Sequence, residues 1–290
     1  MNEVCVVHLV RKKNGTGPFK RFLDSYRNNA AELSHELLIV FKGFSSENVP
    51  ESYEVLLAGI GHKRYFVKDV GFDIDPYMEV TSIFQYRYFC FFNSYSQILA
   101  KGWLRSMHRW ITQPGVGIVG ATASYQSVSS DFHEFTLVRK PKTIKDILRI
   151  IKHLIVYPIE IRDRFSSFPN CHIRTNAFMV SRDTLFLIKK RKIHSKWDAY
   201  RFESGKDGLT SQVMRMGLST LVIDKYGNSF KKEHWFESET FWIKDQKNLL
   251  VSDNQTRAFT EGSLELRARL SFFAWRRRPD GLGVKGLQQE

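Results

Sequence analysis

Cysteine is scarce in this 290-residue chain. The three that occur, Cys5, Cys90 and Cys171, are odd in number and widely separated, with no CxxC pair and no Cys/His cluster of metal spacing. That excludes a zinc-finger framework and gives no basis for a disulfide scaffold, so a reduced, cytoplasmic protein is expected. Long apolar runs are missing as well. The longest, residues 37–41 and 88–92, fall far below the roughly 18 residues that a membrane span requires. The opening MNEVCVVHLVRKKNG places its apolar stretch before its basic cluster, the reverse of a secretory signal. No internal repeat is visible.

Acid is short relative to base. With 44 Lys and Arg against 30 Asp and Glu, the formal charge is +14 and the pI about 9.7, which favours partners carrying phosphate or an anionic surface. Nucleic acid, nucleotide and lipid headgroup all qualify. What the chain does have is apolar content: 42% hydrophobic residues over this length can bury a large core, as one large or two modest domains.

The periodicities alternate. Residues 4–10 read as a buried strand, followed by a Lys12-Lys13-Asn14-Gly15 loop. Phe19, Phe22, Leu23, Tyr26 and Ala30 recur at helical spacing after Gly17-Pro18. Residues 37–41, 65–67 and 88–92 read as further strands, with a helix near 50–59 between the first two. A helix over 98–111 then leads to a fifth strand in GVGIVGATAS. Residues 142–157 give a helix with a basic polar face, 178–180 and 221–223 two later strands, and the second half of WDAYRFESGKDGLTSQVMRMG a helix stopped by Gly217. A last helix over 261–278 groups Leu266, Leu270 and Phe273 beside several arginines, before a loose tail. Such alternation predicts a mostly parallel α/β sheet covered on both faces, with ligands at the carboxyl ends of its strands.

Five segments in order carry a resemblance: FFNSYSQILAKGWL, GVGIVGATASYQS, FPNCHIRTNAF, DAYRFESGKDGLTSQ and NLLVSDNQTRAF. With the strand and helix order over about residues 4–225, they resemble the GT-A glycosyltransferases. The likeness is to glycosyltransferase family 2, and within it to a bacterial subset linked to lipopolysaccharide and other surface polysaccharides. The resemblance implies a GT-A-like domain over 1–260, with a nucleotide-sugar half at 1–125 and an acceptor half at 126–260, extended by a basic C-terminal helix and tail over 261–290. It also implies sugar transfer, hexosyl or deoxyhexosyl, from a nucleotide-sugar donor to a surface glycan or lipid-linked acceptor (O-antigen or similar), with an inverting mechanism.

The family pattern places a DxD motif, which holds Mg²⁺ or Mn²⁺ against the donor diphosphate, where this chain has Asn93, Ser94 and Tyr95. Neutral groups there make a poor cation site. A divalent ion held by another carboxylate and cationic side chains acting alone both remain open. Lys42, Arg174 and Arg201 are the cationic candidates for donor binding, joined by Asn93 and Ser94 at the strand end and by Asp73. The literal DxD at Asp73-Ile74-Asp75 has a structural reading, with Asp75 as helix N-cap before Pro76. Asn93 and Ser94 also suit a plain strand-ending turn.

A proton acceptor for the attacking hydroxyl is sought in DAYRFESGKDG, where the resemblance points to the stretch from Glu203 to Asp207; a capping role open to Asp207 puts Glu203 first and Asp207 second, with Asp198 third. Asp207 also suits a helix cap, and Glu203 an ordinary ion pair. Asn176, Asp253 and Asn254 are candidates for the acceptor, although an Asx turn explains the last two equally. His172 reads as structural, and Trp235 and Trp242 suit a sugar-stacking groove or the core. The basic helices at 142–157 and near 278 suit peripheral contact with an anionic membrane at its inner face, or ordinary solvated faces. Two rival readings stand beside the transferase: a nucleic-acid-binding protein, against which no RRM, KH or zinc motif occurs, and a catalytically inactive assembly partner.

Overall fold

Five apolar residues in a row leave no polar face, so a strand such as Tyr88–Phe92 (β4) needs cover on both sides. It has that cover in the computed structural model, which describes residues 3–45, 49–131 and 157–280. Around it runs an eight-stranded sheet. In chain order its members are Val4–Arg11 (β1), Glu36–Lys42 (β2), Lys63–Val67 (β3), β4, Val116–Gly120 (β6), Ala177–Ser181 (β9), Ser219–Ile223 (β10) and Ser229–Lys231 (β11). The spatial order is β11-β10-β6-β9-β4-β1-β2-β3. The β1–β2, β2–β3, β1–β4 and β6–β10 pairs are parallel, while β9 runs antiparallel to β4 and β6, and β11 to β10. Two short pairs accompany it, Gln97–Ile98 (β5) with Val251–Ser252 (β12) and Ala123–Ser124 (β7) with His172–Ile173 (β8). The expected mostly parallel α/β architecture is what forms.

The pleat sends alternate side chains of β1 to opposite faces. Cys5, Val7 and Leu9 join a core with Ile74–Ile83 (α3), Arg182–Leu187 (α6), Lys196–Ser204 (α7) and Leu209–Arg215 (α8). Val4, Val6 and Val10 join the other, built on Phe19, Phe22 and Leu23 of Thr16–Asn28 (α1), with Tyr53 and Leu57 of Glu51–Leu57 (α2) and Trp103, Leu104 and Met107 of Trp103–Ile111 (α4). His8, on that second face, is fully buried and stacks on Phe22 with ring centroids 3.6 Å apart.

Several expectations are corrected. Ile98 belongs to β5, and the helix expected from it begins only at Trp103, because residues 97–98 pair with β12. Asp75 is no N-cap: α3 starts one residue earlier, and Asp75 instead ion-pairs with Lys190 at 2.5 Å. The first half of WDAYRFESGKDG is itself helical, as α7. The final helix spans Leu264–Trp275 (α10), where Phe273 is buried but Leu266 is 39% exposed. Of the expected 142–157 helix, residues 142–156 lie outside the described residues, and a helix runs over Tyr157–Arg164 (α5). Asn254–Thr260 (α9) completes the helices named here.

Candidate active site

Parallel pairing lines up the carboxyl ends of β1, β2 and β3, with Arg11 opposite Lys42 and Lys42 opposite Val67. The chain leaving β3 brings Asp69 back to Arg11, which donates from Nε and Nη2 at 2.7 and 3.1 Å, with Lys13 3.3 Å away. The Arg11 bond holds the Asp69 carboxyl below the ordinary range and raises the guanidinium in turn. Lys42 is buried, and its ammonium donates to the Phe72 carbonyl. Burial lowers its pKa, and the charges of Asp73 and Asp69 oppose that. Asp73 is partly exposed but packed closely enough that desolvation raises its pKa, with Lys42 and Arg11 pulling it down and Glu203 pushing it up.

Across the strand order the edge continues through β4 and the reversed β9. Asn93 donates its backbone N–H to the Asn176 carbonyl at 3.0 Å, and Ser96 Oγ donates to the same oxygen at 2.8 Å. The Asn93 side-chain oxygen accepts from the Tyr95 N–H at 2.9 Å and from Ser96 Oγ at 3.0 Å, which makes an Asx-type turn. Arg257 holds the Tyr95 carbonyl with both terminal nitrogens at 3.2 Å. Ser94 is buried in that turn.

Glu203 reaches this edge from the last turn of α7. Its carboxylate accepts from Thr175 Oγ1 at 3.1 Å, one residue before Asn176, and lies 3.1 Å from Arg174 Nε. Arg174 also donates to Gln255 Oε1 at 2.7 Å and lies over the Phe241 ring, so its guanidinium is fixed on three sides. Asn176 is buried and accepts from Thr122 Oγ1 at 2.7 Å, while its own NH₂ has no partner. His172 Nε2 is likewise buried without a hydrogen-bond partner, whereas Glu203 Oε1 faces Arg174 Nε in the ion pair. His172 is held through Nδ1 by the Asn170 carbonyl, and burial takes its pKa down to about 3, so it is a neutral ring. Asn176 Nδ2 and His172 Nε2, on residues two positions either side of Arg174, are thus two buried polar atoms whose bonds the protein does not supply.

Lys42, Asp73, Asn93, Ser94, Arg174, Asn176 and Glu203 therefore share the carboxyl edge, and the five other candidates take different places, Arg201 among them: it lines a separate cavity with Asp207. Asp198 closes a capping box with Ser195 at the start of α7. Asp207 is not a cap, since Gly208 holds that position; it faces Arg215 at 3.5 Å and Arg201 at 3.8 Å in a separate cavity. Asp253 caps α9 through the N–H groups of Gln255 and Thr256, and Asn254 is exposed at the helix start. Trp235 is fully buried and Trp242 nearly so, both in the core. Sequence reading missed Arg11, Asp69 and Thr175, and took Gln255 for a hydroxyl-binding group where it instead holds Arg174. The basic run directly after β1 was the legible signal for Arg11; Gln255 becomes significant only once α9 is set against Arg174.

A divalent ion at the strand-end position wants charged oxygen donors. Asn93 is neutral and its oxygen already accepts two bonds, and among the described residues no group of three or more His, Cys, Asp or Glu is arranged to hold a metal. The described residues do not fit such an ion.

No family model matches the sequence, and no curated protein matches it. Solved structures do match. A mannosyltransferase from Pyrobaculum calidifontis, in complex with GDP-Man and Mn²⁺, is similar over 76% of this chain and 54% of its own length, at 13% identity and a TM-score of 0.46. Mouse xyloside xylosyltransferase 1, in its apo form, is similar over 76% of this chain and 85% of its own, at 12% identity and a TM-score of 0.41. Residues 1–349 of S. aureus TarS match 41% of this chain at 12% identity and a TM-score of 0.32, with 34% of the TarS fragment covered. The chain thus spans about half the length of the mannosyltransferase.

Proposed function

We propose that this chain is a nucleotide-sugar-dependent glycosyltransferase that uses Glu203 as its general base. The observation that supports the reading best is the placement of the Glu203 carboxylate. It is 14% exposed, held by Arg174 and by Thr175, the latter directly preceding Asn176, whose carbonyl fixes the tip of β4. In the proposed reaction the acceptor oxygen attacks the anomeric carbon as the bond to the donor diphosphate breaks, and the hydroxyl proton passes to Glu203, with inversion at the sugar. Arg11, Lys13 and Lys42 supply positive charge toward the departing diphosphate, the part that preorganised cations play in such a step. Arg174 pairs with the carboxylate and aims it. Asn93, Ser94 and Asp73 contact the donor, and Asn176 an acceptor or donor hydroxyl. The sequence resemblance extends the proposal to a surface glycan or lipid-linked acceptor.

The test is ligand stabilisation followed by transfer. UDP, GDP or TDP is expected to raise the melting temperature, and Lys42→Met to abolish that rise, while an oligonucleotide has no effect. Salt-sensitive RNA binding with no response to any diphosphate would replace this reading with the nucleic-acid one. Diphosphate binding without donor hydrolysis or transfer would leave an inactive relative.

A further inference from the structure

The stretch FLIKKRKIHSKWDAY, residues 186–200, is amphipathic on the surface rather than in the core. Phe186 is 53% exposed, Leu187 64% and Trp197 39%, large apolar side chains of the kind folding normally buries. Between them lie Lys189, Lys190, Arg191 and Lys192, all exposed. The same stretch walls a cavity of about 280 Å³ whose lining includes Lys189, Lys190, Arg191, Arg201 and Arg215 against only two carboxylates, Asp198 and Asp207. Both acids are committed, Asp198 to the α7 cap and Asp207 to Arg215 and Arg201, and Lys190 pairs with Asp75 from outside. Gln212 fixes the cavity shape, bonding the backbone of Lys189 on one wall and of Asp207 on another. Burial together with the charges of Arg191 and Arg164 lowers the Arg201 pKa, a sign of cationic excess.

We propose that residues 186–200 dock the protein on an anionic lipid surface, with Phe186, Leu187 and Trp197 entering the headgroup layer and the adjoining cavity receiving a lipid phosphate. Exposed aromatic and aliphatic side chains beside clustered lysine and arginine suit that interface, where each component finds its own environment. The cavity has the guanidinium donors that a phosphate monoester accepts in bidentate fashion. Neither feature involves the Glu203 edge, so the inference stands whether or not sugar transfer is confirmed.

The experiment is co-flotation of the full chain with vesicles of phosphatidylcholine alone, with added phosphatidylglycerol, and with added phosphatidic acid. Wild type is expected to float with both anionic compositions, preferring phosphatidic acid, and to stay behind with the neutral one. Lys189→Gln/Arg191→Gln should lose about tenfold or more in partitioning, and Phe186→Ser/Leu187→Ser should lose binding to both anionic vesicles. Arg201→Gln should erase the preference for phosphatidic acid; if Arg201→Gln does not fold, Arg215→Gln asks the same question. Lys101→Gln/Arg109→Gln, which removes equal charge from exposed positions on another face, should float as wild type does. The proposal is overturned if the 189/191 pair floats like wild type, if the 101/109 control loses as much, or if inorganic pyrophosphate binds in solution while no vesicle does. Retained binding by Phe186→Ser/Leu187→Ser overturns the insertion of those side chains.

Discussion

Arg174 Nε stands 3.1 Å from Glu203 Oε1, and the two side chains are only 12% and 14% exposed. A nearly buried pair of this kind adds little net stability, because desolvating two charges offsets most of their attraction. The pair's geometry is over-determined by Gln255, Phe241 and Thr175, so the carboxylate is held in one place.

Glu203→Gln keeps the shape and can keep the Thr175 bond, but it removes the proton acceptor. Transfer should fall by ~10²–10⁴-fold while the affinity for a nucleoside diphosphate stays the same. Single-turnover transfer and diphosphate titration read the two quantities separately. A full rate in Glu203→Gln would remove Glu203 from the chemistry.

Asp253 separates capping from ligand binding. Its carboxylate accepts from the N–H groups of Gln255 and Thr256, and Asn serves as well as Asp at an N-cap. Asp253→Ala is expected to cost about 1 kcal/mol of stability, and Asp253→Asn to restore both stability and transfer rate. Equal loss of activity in both variants, measured beside denaturant midpoints, would show instead that the charge itself contacts substrate.

The strands were legible because a sheet covered on both faces writes itself as unbroken apolar runs, as at 37–41 and 88–92. Glu203 was legible only by resemblance. Three acids in DAYRFESGKDG look alike in one dimension, and what separates them is helical phase: Asp198 sits in the first turn of α7 as a cap, Glu203 in the last turn facing the sheet edge, and Asp207 beyond the helix beside Arg201 and Arg215. The Ser195-x-x-Asp198 spacing was a readable capping signal. Arg174's hold on Gln255, 81 residues away, has no local signature at all. The 186–200 surface was equally hidden, since nothing in one dimension shows that Phe186, Leu187 and Trp197 are exposed.

His8 predicts an acid-sensitive fold. It is fully buried against Phe19 and Phe22, neither ring nitrogen has a partner, and burial lowers its pKa from 6.5 to about 3. A histidine depressed on folding binds its proton more readily when unfolded. Its full contribution is therefore present above about 6.5 and is lost as pH falls toward about 3. Within that window the slope is about 1.4 kcal/mol per pH unit for one such group. His8→Leu should flatten the dependence by that amount, read from urea midpoints between pH 7 and the acid limit. An unchanged slope would mean that His8 finds a proton partner in solution.

Chelation tests the strand-end position. A tight divalent site there would need at least two charged oxygens around the ion, yet Asn93 spends its oxygen on Tyr95 and Ser96, and Asp69 is tied to Arg11 and Lys13. Asp73 and Glu203 remain, but the first sits beside buried Lys42, whose charge competes with a cation for the same place, and the second is neutralised by Arg174. Positive charge is thus already supplied by the chain where a metal would supply it, and a second source would meet repulsion. Sugar transfer in excess EDTA should retain most of its rate, whereas Lys42→Met should lose it through weakened diphosphate binding. Complete loss in EDTA restored by Mn²⁺ would show the opposite arrangement, with Asp73 released from Lys42 to take the ion.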